Sequence, residues 1–269
     1  MATTLLIDSR EYKLPLAATR FLNRTEAGDA LLDLVRFVIL DQHGGHEVKP
    51  ADSGDSKLRQ VRYLDTTGQD FRAAGFILRL RQESEGKFAL NLKARSPDRY
   101  LAADADVSFA GDAPEKKTEF EEDVLPPFGS QFSHSTSAKK IAADPTPSTV
   151  AGAAELFPVL GTLGLEPDLP VAVSDRFTAH EVERKGGTFR FGDGPEVEAG
   201  FTFWYLREAR TGFPLLAELS FGLKAPMGDD FPVETVRAMY DVFRALQAQG
   251  AAWLDPSGTT KSAFAAGGT

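Results

Sequence analysis

The stretch FILRLRQESEGKFALNLKAR, residues 76–95, decides how the rest of the chain is read. Two runs of alternating apolar and polar residues flank a polar turn at Gln82–Lys87. Strand side chains alternate with period two. Ile77, Arg79 and Arg81 therefore share one face of the first strand, and Phe76, Leu78 and Leu80 share the other. In the second strand Asn91, Lys93 and Arg95 share a face opposite Phe88, Leu90 and Leu92. Each strand presents large apolar groups on one side and cations on the other.

Such a charged face is either wetted by solvent or lines a site. Arg79, Arg81, Lys93 and Arg95 are concentrated by sign. Two guanidinium groups about 5.5 Å apart repel by roughly 3 kcal/mol at an effective dielectric near 20. Arginine cannot relieve that repulsion by losing its proton, so a cluster of this kind calls for an anion. The apolar faces need cover, and the amphipathic segments 25–42 and 231–248 are expected to supply it from outside.

The remaining chain extends this pattern. Residues 4–16, 59–65 and 117–124 read as strands. So do stretches within LPVAVSDRFTAHEVER, GGTFRFGDG, VEAGFTFWYLREA and FPLLAELSFGL. RKGG, FGDGP and ARTG read as turns between them, 46–57 as a polar loop, and the Ser-, Pro- and Ala-rich segment 126–147 as the least ordered internal region. RTEAGDALLDLVRFVILDQHGG reads as a helix with Thr25 at its N-cap. FPVETVRAMYDVFRALQAQG reads as a second helix, with Pro232 near its start and Gly250 after its end. About eight strands joined by antiparallel hairpins are most simply closed into a barrel. The expected fold is α+β: an eight-stranded antiparallel β barrel, forming a tunnel, with flanking helices. It would occupy 1–256, with a disordered tail at 257–269.

Composition sets limits. The chain of 269 residues has a formal net charge of −9 and a sequence pI of about 5.1, which argues against general nucleic-acid binding. It contains no cysteine, which excludes a thiolate nucleophile or a cysteine-ligated metal. No apolar run is long enough for a membrane span and no secretory signal is legible, so a cytoplasmic location is expected. Oligomeric state is not legible.

Polar faces recur on other strands. Ser9, Glu11 and Lys13 share one, as do Arg59, Tyr63 and Asp65, then Glu119 and Glu121, then Glu218 and Ser220. Cations on some walls and carboxylates on others suit a polyphosphate held together with a hard divalent metal.

YLDTTGQDFRAAGFILRLRQ, followed by LNLKARSPDR, resembles the pattern of CYTH-domain proteins, the triphosphate tunnel metalloenzymes. That group includes class IV adenylyl cyclases, thiamine triphosphatases, inorganic triphosphatases and RNA triphosphatases. The resemblance covers residues 9 to about 224. It implies a tunnel in which basic side chains hold a triphosphate and acidic ones hold magnesium or manganese.

Carried over by position, the resemblance makes Lys13, Arg59, Arg79, Arg81, Lys93 and Arg176 phosphate-binding residues. It makes Glu11, Glu119, Glu121 and Glu218 metal ligands, with Glu11 also orienting the attacking water. Two acids of the family pattern are replaced by Ser9 and Ser220, and a hydroxyl is a weak ligand for a hard cation. The cationic half of the pattern is retained better than the metal half. Three readings stay open: metal-dependent hydrolysis of an inorganic or organic triphosphate, with cyclisation of a nucleotide as its variant; binding of a polyphosphate or nucleotide without turnover; and a structural or unrelated ligand-binding barrel whose charged faces are exposed.

Overall fold

In the computed structural model, residues 6–51, 54–83, 85–174, 177–225 and 230–264 are described, with backbone only at 55, 56, 262 and 263. Among the described residues there are eleven strands: β1 (Ser9–Leu16), β2 (Gly45–Lys49), β3 (Asp55–Thr66), β4 (Phe76–Glu83), β5 (Phe88–Ser96), β6 (Glu115–Leu125), β7 (Gly129–Ile141), β8 (Val171–Val173), β9 (Ala179–Phe191), β10 (Val197–Tyr205) and β11 (Leu216–Lys224). The hydrogen-bonded order is β2-β9-β10-β11-β1-β6-β7-β5-β4-β3-β8, with a further pairing of β9 and β3. The run from β9 round to β3 thus closes into a barrel of nine strands, and β2 and β8 add to its edges. The α+β barrel is as expected. Its strand number is nine rather than eight, and it is mixed rather than wholly antiparallel.

The extra strands come from segments whose composition disguised them. QFSHSTSAKKI, expected to be poorly ordered, lies within the thirteen-residue β7. Serine has little intrinsic preference for strands, but β7 is fixed by its pairing with β5. Residues 46–49, expected as loop, belong to β2 and pair with β9. RKGG is no turn but the middle of β9, where Gly187 takes a φ of +99° that a side chain would resist.

The chain forms two compact units: Met1–Leu58 with Glu122–Ser130 and Glu181–Thr259, and Arg59–Glu121 with Gln131–His180 and Thr260–Thr269. In the first unit, α1 (Arg24–Arg36) is capped by Asn23 rather than Thr25, the Asn23 side chain accepting from the Glu26 amide. A long helix, α2 (Val233–Gln249), buries Thr235, Met239, Val242, Phe243 and Leu246, one face at helical spacing. The two helices join Tyr12, Leu14, Phe221, Leu219 and Phe203 in one core.

In the second unit a different segment does the covering. A short helix, α3 (Val150–Leu156), and the turn that follows place Val150, Ala153, Phe157 and Leu160 in one core with Leu78, Leu80, Leu90 and Leu92. The apolar face of β4 and β5 is thus sealed by residues 150–160. The helices at 25–42 and 231–248, expected there, pack in the other unit. Lys261–Phe264, within the segment expected as a disordered tail, forms a helical turn whose Phe264 ring lies 5.8 Å from that of Phe177.

Candidate functional site

The register of the second unit places its polar side chains in rows. Tyr63 pairs with Arg79, Arg79 with Asn91, and Asn91 with Ser137. The next row has Ile77, Lys93 and Ser135, and beyond it Arg95 pairs with Ser133. On the other side of the Arg79 row, Val61 pairs with Arg81 and then Arg59 with Glu83. Directly paired residues point to the same side of a sheet. The cations therefore form one face, turned away from the core that buries Leu78, Leu80, Leu90 and Leu92.

This face is not an open, solvated surface. Arg59 and Asn91 are each 5% exposed, and Arg79, Arg81, Lys93 and Arg95 are all partly buried. Asn91 orders the middle row. It donates to the Thr136 carbonyl at 3.1 Å and to Ser137 Oγ at 3.0 Å, and its Oδ1 accepts from Arg79 at 3.5 Å. The Nε of Arg79 is buried without a hydrogen-bond partner among the described residues. A buried, unmatched guanidinium N–H is costly unless something supplies an acceptor.

Carboxylates stand on the same face, each beside a cation. Glu121 Oε2 lies 2.8 Å from Lys93 Nζ, and Glu119 Oε1 lies 2.5 Å from Lys117 Nζ. Arg59 Nε is 3.1 Å from Glu83 Oε2. In the first unit, Lys13 Nζ lies 3.0 Å from Glu11 and 2.8 Å from Asp123. Glu218, 4% exposed, pairs across the ladder with Pro15 and Thr202, and Ser220 pairs with Lys13 and Gly200. Arg176 lies outside the described residues.

Among the described residues no group of three or more His, Asp or Glu is placed to hold a metal ion. The donor set does not fit a divalent cation as it stands, because Glu11, Glu119 and Glu121 are engaged with ammonium groups.

Several polar residues of the two units were not singled out from the sequence. Asp123 follows Glu119 and Glu121 at period two, so the alternation itself pointed to it. Ser133, Ser135 and Ser137 were hidden because their strand was not recognised. Asp65, in the Tyr-Asp part of the motif, has a structural use. Its Oδ1 accepts from the amides of Thr66 (2.8 Å) and Phe71 (3.0 Å), and its Oδ2 from that of Arg72 (3.1 Å). It thereby shapes the loop that feeds β4. Burial pushes its carboxyl above the ordinary value of 3.8, against the pull of those three amides.

No family model and no curated protein matches the chain. Its structure is similar to a number of solved ones, among them these three. A candidate adenylyl cyclase from Hippeastrum, described as having a dominant triphosphatase activity, is 15% identical over 98% of this chain and 97% of that one, with a TM-score of 0.47. A candidate adenylate cyclase from Bacillus halodurans is 13% identical over 97% and 98%, with a TM-score of 0.42. Another from Vibrio parahaemolyticus is 11% identical over 96% and 97%, with a TM-score of 0.36. No helix among the described residues is long and apolar enough to cross a membrane. The closed barrel of nine strands stands beside the resemblance of residues 63–95 to the CYTH pattern.

Proposed function

We infer that the cationic face of β4 and β5 binds a small molecule carrying a triphosphate or polyphosphate group. The observation that carries this is the placement of Arg79, Arg81 and Lys93 on one partly buried face whose opposite side is sealed by a hydrophobic core. Half-withdrawn from water, these cations repel one another more than on an open surface, and an oligophosphate relieves that repulsion. Its oxygens also accept charge-assisted hydrogen bonds, which are about twice as strong as neutral ones. An intact set of cations beside carboxylates already matched to lysines favours binding over turnover. Hydrolysis with magnesium or manganese, drawn from the resemblance, would require Glu11, Glu119, Glu121 or Glu218 to exchange present partners for a metal.

The test is titration of the protein with inorganic triphosphate and ATP, each with and without magnesium or manganese. Phosphate release is followed in parallel for wild type and Arg81→Ala. Binding that the substitution weakens supports the reading, and release that it abolishes would add turnover to it. Equal affinity in both proteins would reject the site.

A further inference from the structure

We propose that the end of the first unit formed by residues 17–24 and 206–215 docks on an anionic lipid surface. Leu22, Leu206 and Phe213 would enter the headgroup layer, and Arg20 and Arg207 would meet lipid phosphates. Such a patch lies on a membrane and does not cross it. The proposal concerns a different part of the chain from the oligophosphate face and does not rest on that reading.

The two segments meet. Arg24 Nη1 donates to the Arg210 carbonyl at 3.1 Å, and the Arg24 guanidinium lies 5.7 Å from the centre of the Tyr205 ring. The interior of this end is already filled, because the buried Phe21 ring packs 5.2 Å from Phe203 and 6.0 Å from Trp253. Apolar side chains next in line are left outside. Leu22 is 61% exposed, Leu206 63% and Phe213 55%, and Leu215 is exposed as well. Single exposed leucines are ordinary, but several brought to one end of a unit mark an interaction surface. Leu22 stands in the link between β1 and α1, and Leu206 and Phe213 in the link between β10 and β11. They are tips of connections rather than the floor of a groove. The second link is held in place: Arg210 keeps a φ of +51°, which a side chain resists, with its carbonyl tied to Arg24.

Charge names the occupant. Residues 17–24 and 206–215 carry Arg20, Arg24, Arg207 and Arg210 against one acid, Glu208, in a chain whose net charge is −9. Arg20 lies over the Trp253 ring at 5.2 Å, and Arg210 donates to the Glu208 carbonyl at 2.8 Å. Neither they nor Arg207 meets a carboxylate among the described residues. The next acids along α1, Glu26 and Asp29, are engaged with Asn23 and Arg184. The patch is thus locally basic on an acidic protein, and an anionic surface would attract this end and repel the rest. A second copy docked symmetrically would set these arginines against one another. A folded protein partner would need hollows matched to separate tips. A headgroup layer takes protruding apolar tips without a matching shape, and its phosphates suit the guanidinium fork.

The test is co-sedimentation of the full chain with vesicles of phosphatidylcholine alone, and of phosphatidylcholine with phosphatidylserine as a third of the lipid, at low and at physiological salt. The wild type should bind the mixed vesicles, prefer them to the neutral ones, and lose affinity as salt rises. Arg207→Gln should weaken binding by about fivefold, the share of one cation near such a surface, and Arg20→Gln by a similar factor. Leu206→Ser combined with Phe213→Ser should weaken it by about tenfold. All four positions are exposed, so these variants should keep the wild-type unfolding temperature and triphosphate affinity. No binding to mixed vesicles, equal binding to both kinds, or binding that survives all these substitutions would overturn the proposal. Loss of vesicle binding in Arg81→Ala alone would overturn it too, by moving the lipid phosphate to the face of β4 and β5. Self-association of the wild type that Phe213→Ser abolishes, without vesicle binding, would overturn it in favour of a second copy.

Discussion

Lys93 Nζ and Glu121 Oε2 lie 2.8 Å apart on the cationic face, with side chains 14% and 27% exposed. The carboxylate that the family resemblance assigns to a metal is thus held by the lysine assigned to phosphate. An arriving anion must compete with Glu121 for Lys93. Glu121→Gln removes that competition and one negative charge from the face. Triphosphate affinity measured by calorimetric titration without metal should rise about fivefold, the scale of a partly screened charge pair. A fall in affinity that appears only with magnesium or manganese present would instead assign Glu121 to a metal.

Arg79 is the cation whose orientation the structure explains most fully, through Asn91 and the Asn91 contacts to Thr136 and Ser137. Arg79→Ala should weaken triphosphate binding by roughly tenfold to a hundredfold, the range for one charge-assisted bond. Asn91→Ala should weaken it less, and Arg79→Lys should recover only part of the loss, because an ammonium lacks the planar fork. The same titration checks all three.

Asp65 satisfies three amides in the loop before β4. Asp65→Ala leaves those buried donors without an acceptor and should cost about 2–3 kcal/mol of stability in chemical denaturation. The carboxyl titrates above 3.8 in the folded protein, chiefly because of burial. Over the window from 3.8 up to that raised value, the native state holds more proton than the unfolded one. The Asp65 contribution therefore declines as pH rises through its folded pKa. Asp65→Asn should lose less stability than Asp65→Ala and should remove this decline, visible as an altered slope of stability against pH.

Asp144 behaves in the opposite sense. Burial works to raise its pKa, but hydrogen bonds from Thr146 and Arg62 outweigh it and leave the value below the ordinary 3.8. The Arg62 contact is 2.9 Å, with the Asp144 side chain 41% exposed, so the pair is screened and its contribution is modest. That contribution is complete above pH 3.8 and is lost as pH falls through the folded pKa. The stability gap between wild type and Asp144→Asn, followed by thermal unfolding, should be widest above pH 3.8 and close on acidification.

Phe157 is fully buried in the core that seals the β4 and β5 apolar face. Phe157→Ala should cost about 3–5 kcal/mol by lost transfer energy and a residual cavity. Hydrogen exchange should show the loss in β4 and β5. A loss confined to the first unit would contradict the assignment of residues 150–160 as the cover.

The alternation in residues 76–95 was enough to divide cations from apolar groups, because period two is a property of the extended backbone and needs no partner. The same rule placed Arg79, Arg81 and Lys93 on one face, and the count of such runs pointed to a barrel. It could not identify β7, whose serines carry no strand signal of their own and are extended because β5 and β6 pair with that strand on either side. Nor could it assign the covers. Amphipathic faces at 25–42, 150–160 and 231–248 are all apolar, and only the packed chain shows that the middle one lies against β4 and β5. The pairing of acids was also beyond it. Glu121 and Lys93 are 28 residues apart in the chain and 2.8 Å apart in space. Whether a carboxylate serves a metal or a lysine depends on which side chain the neighbouring strand delivers, and strand order is decided by the tertiary structure alone.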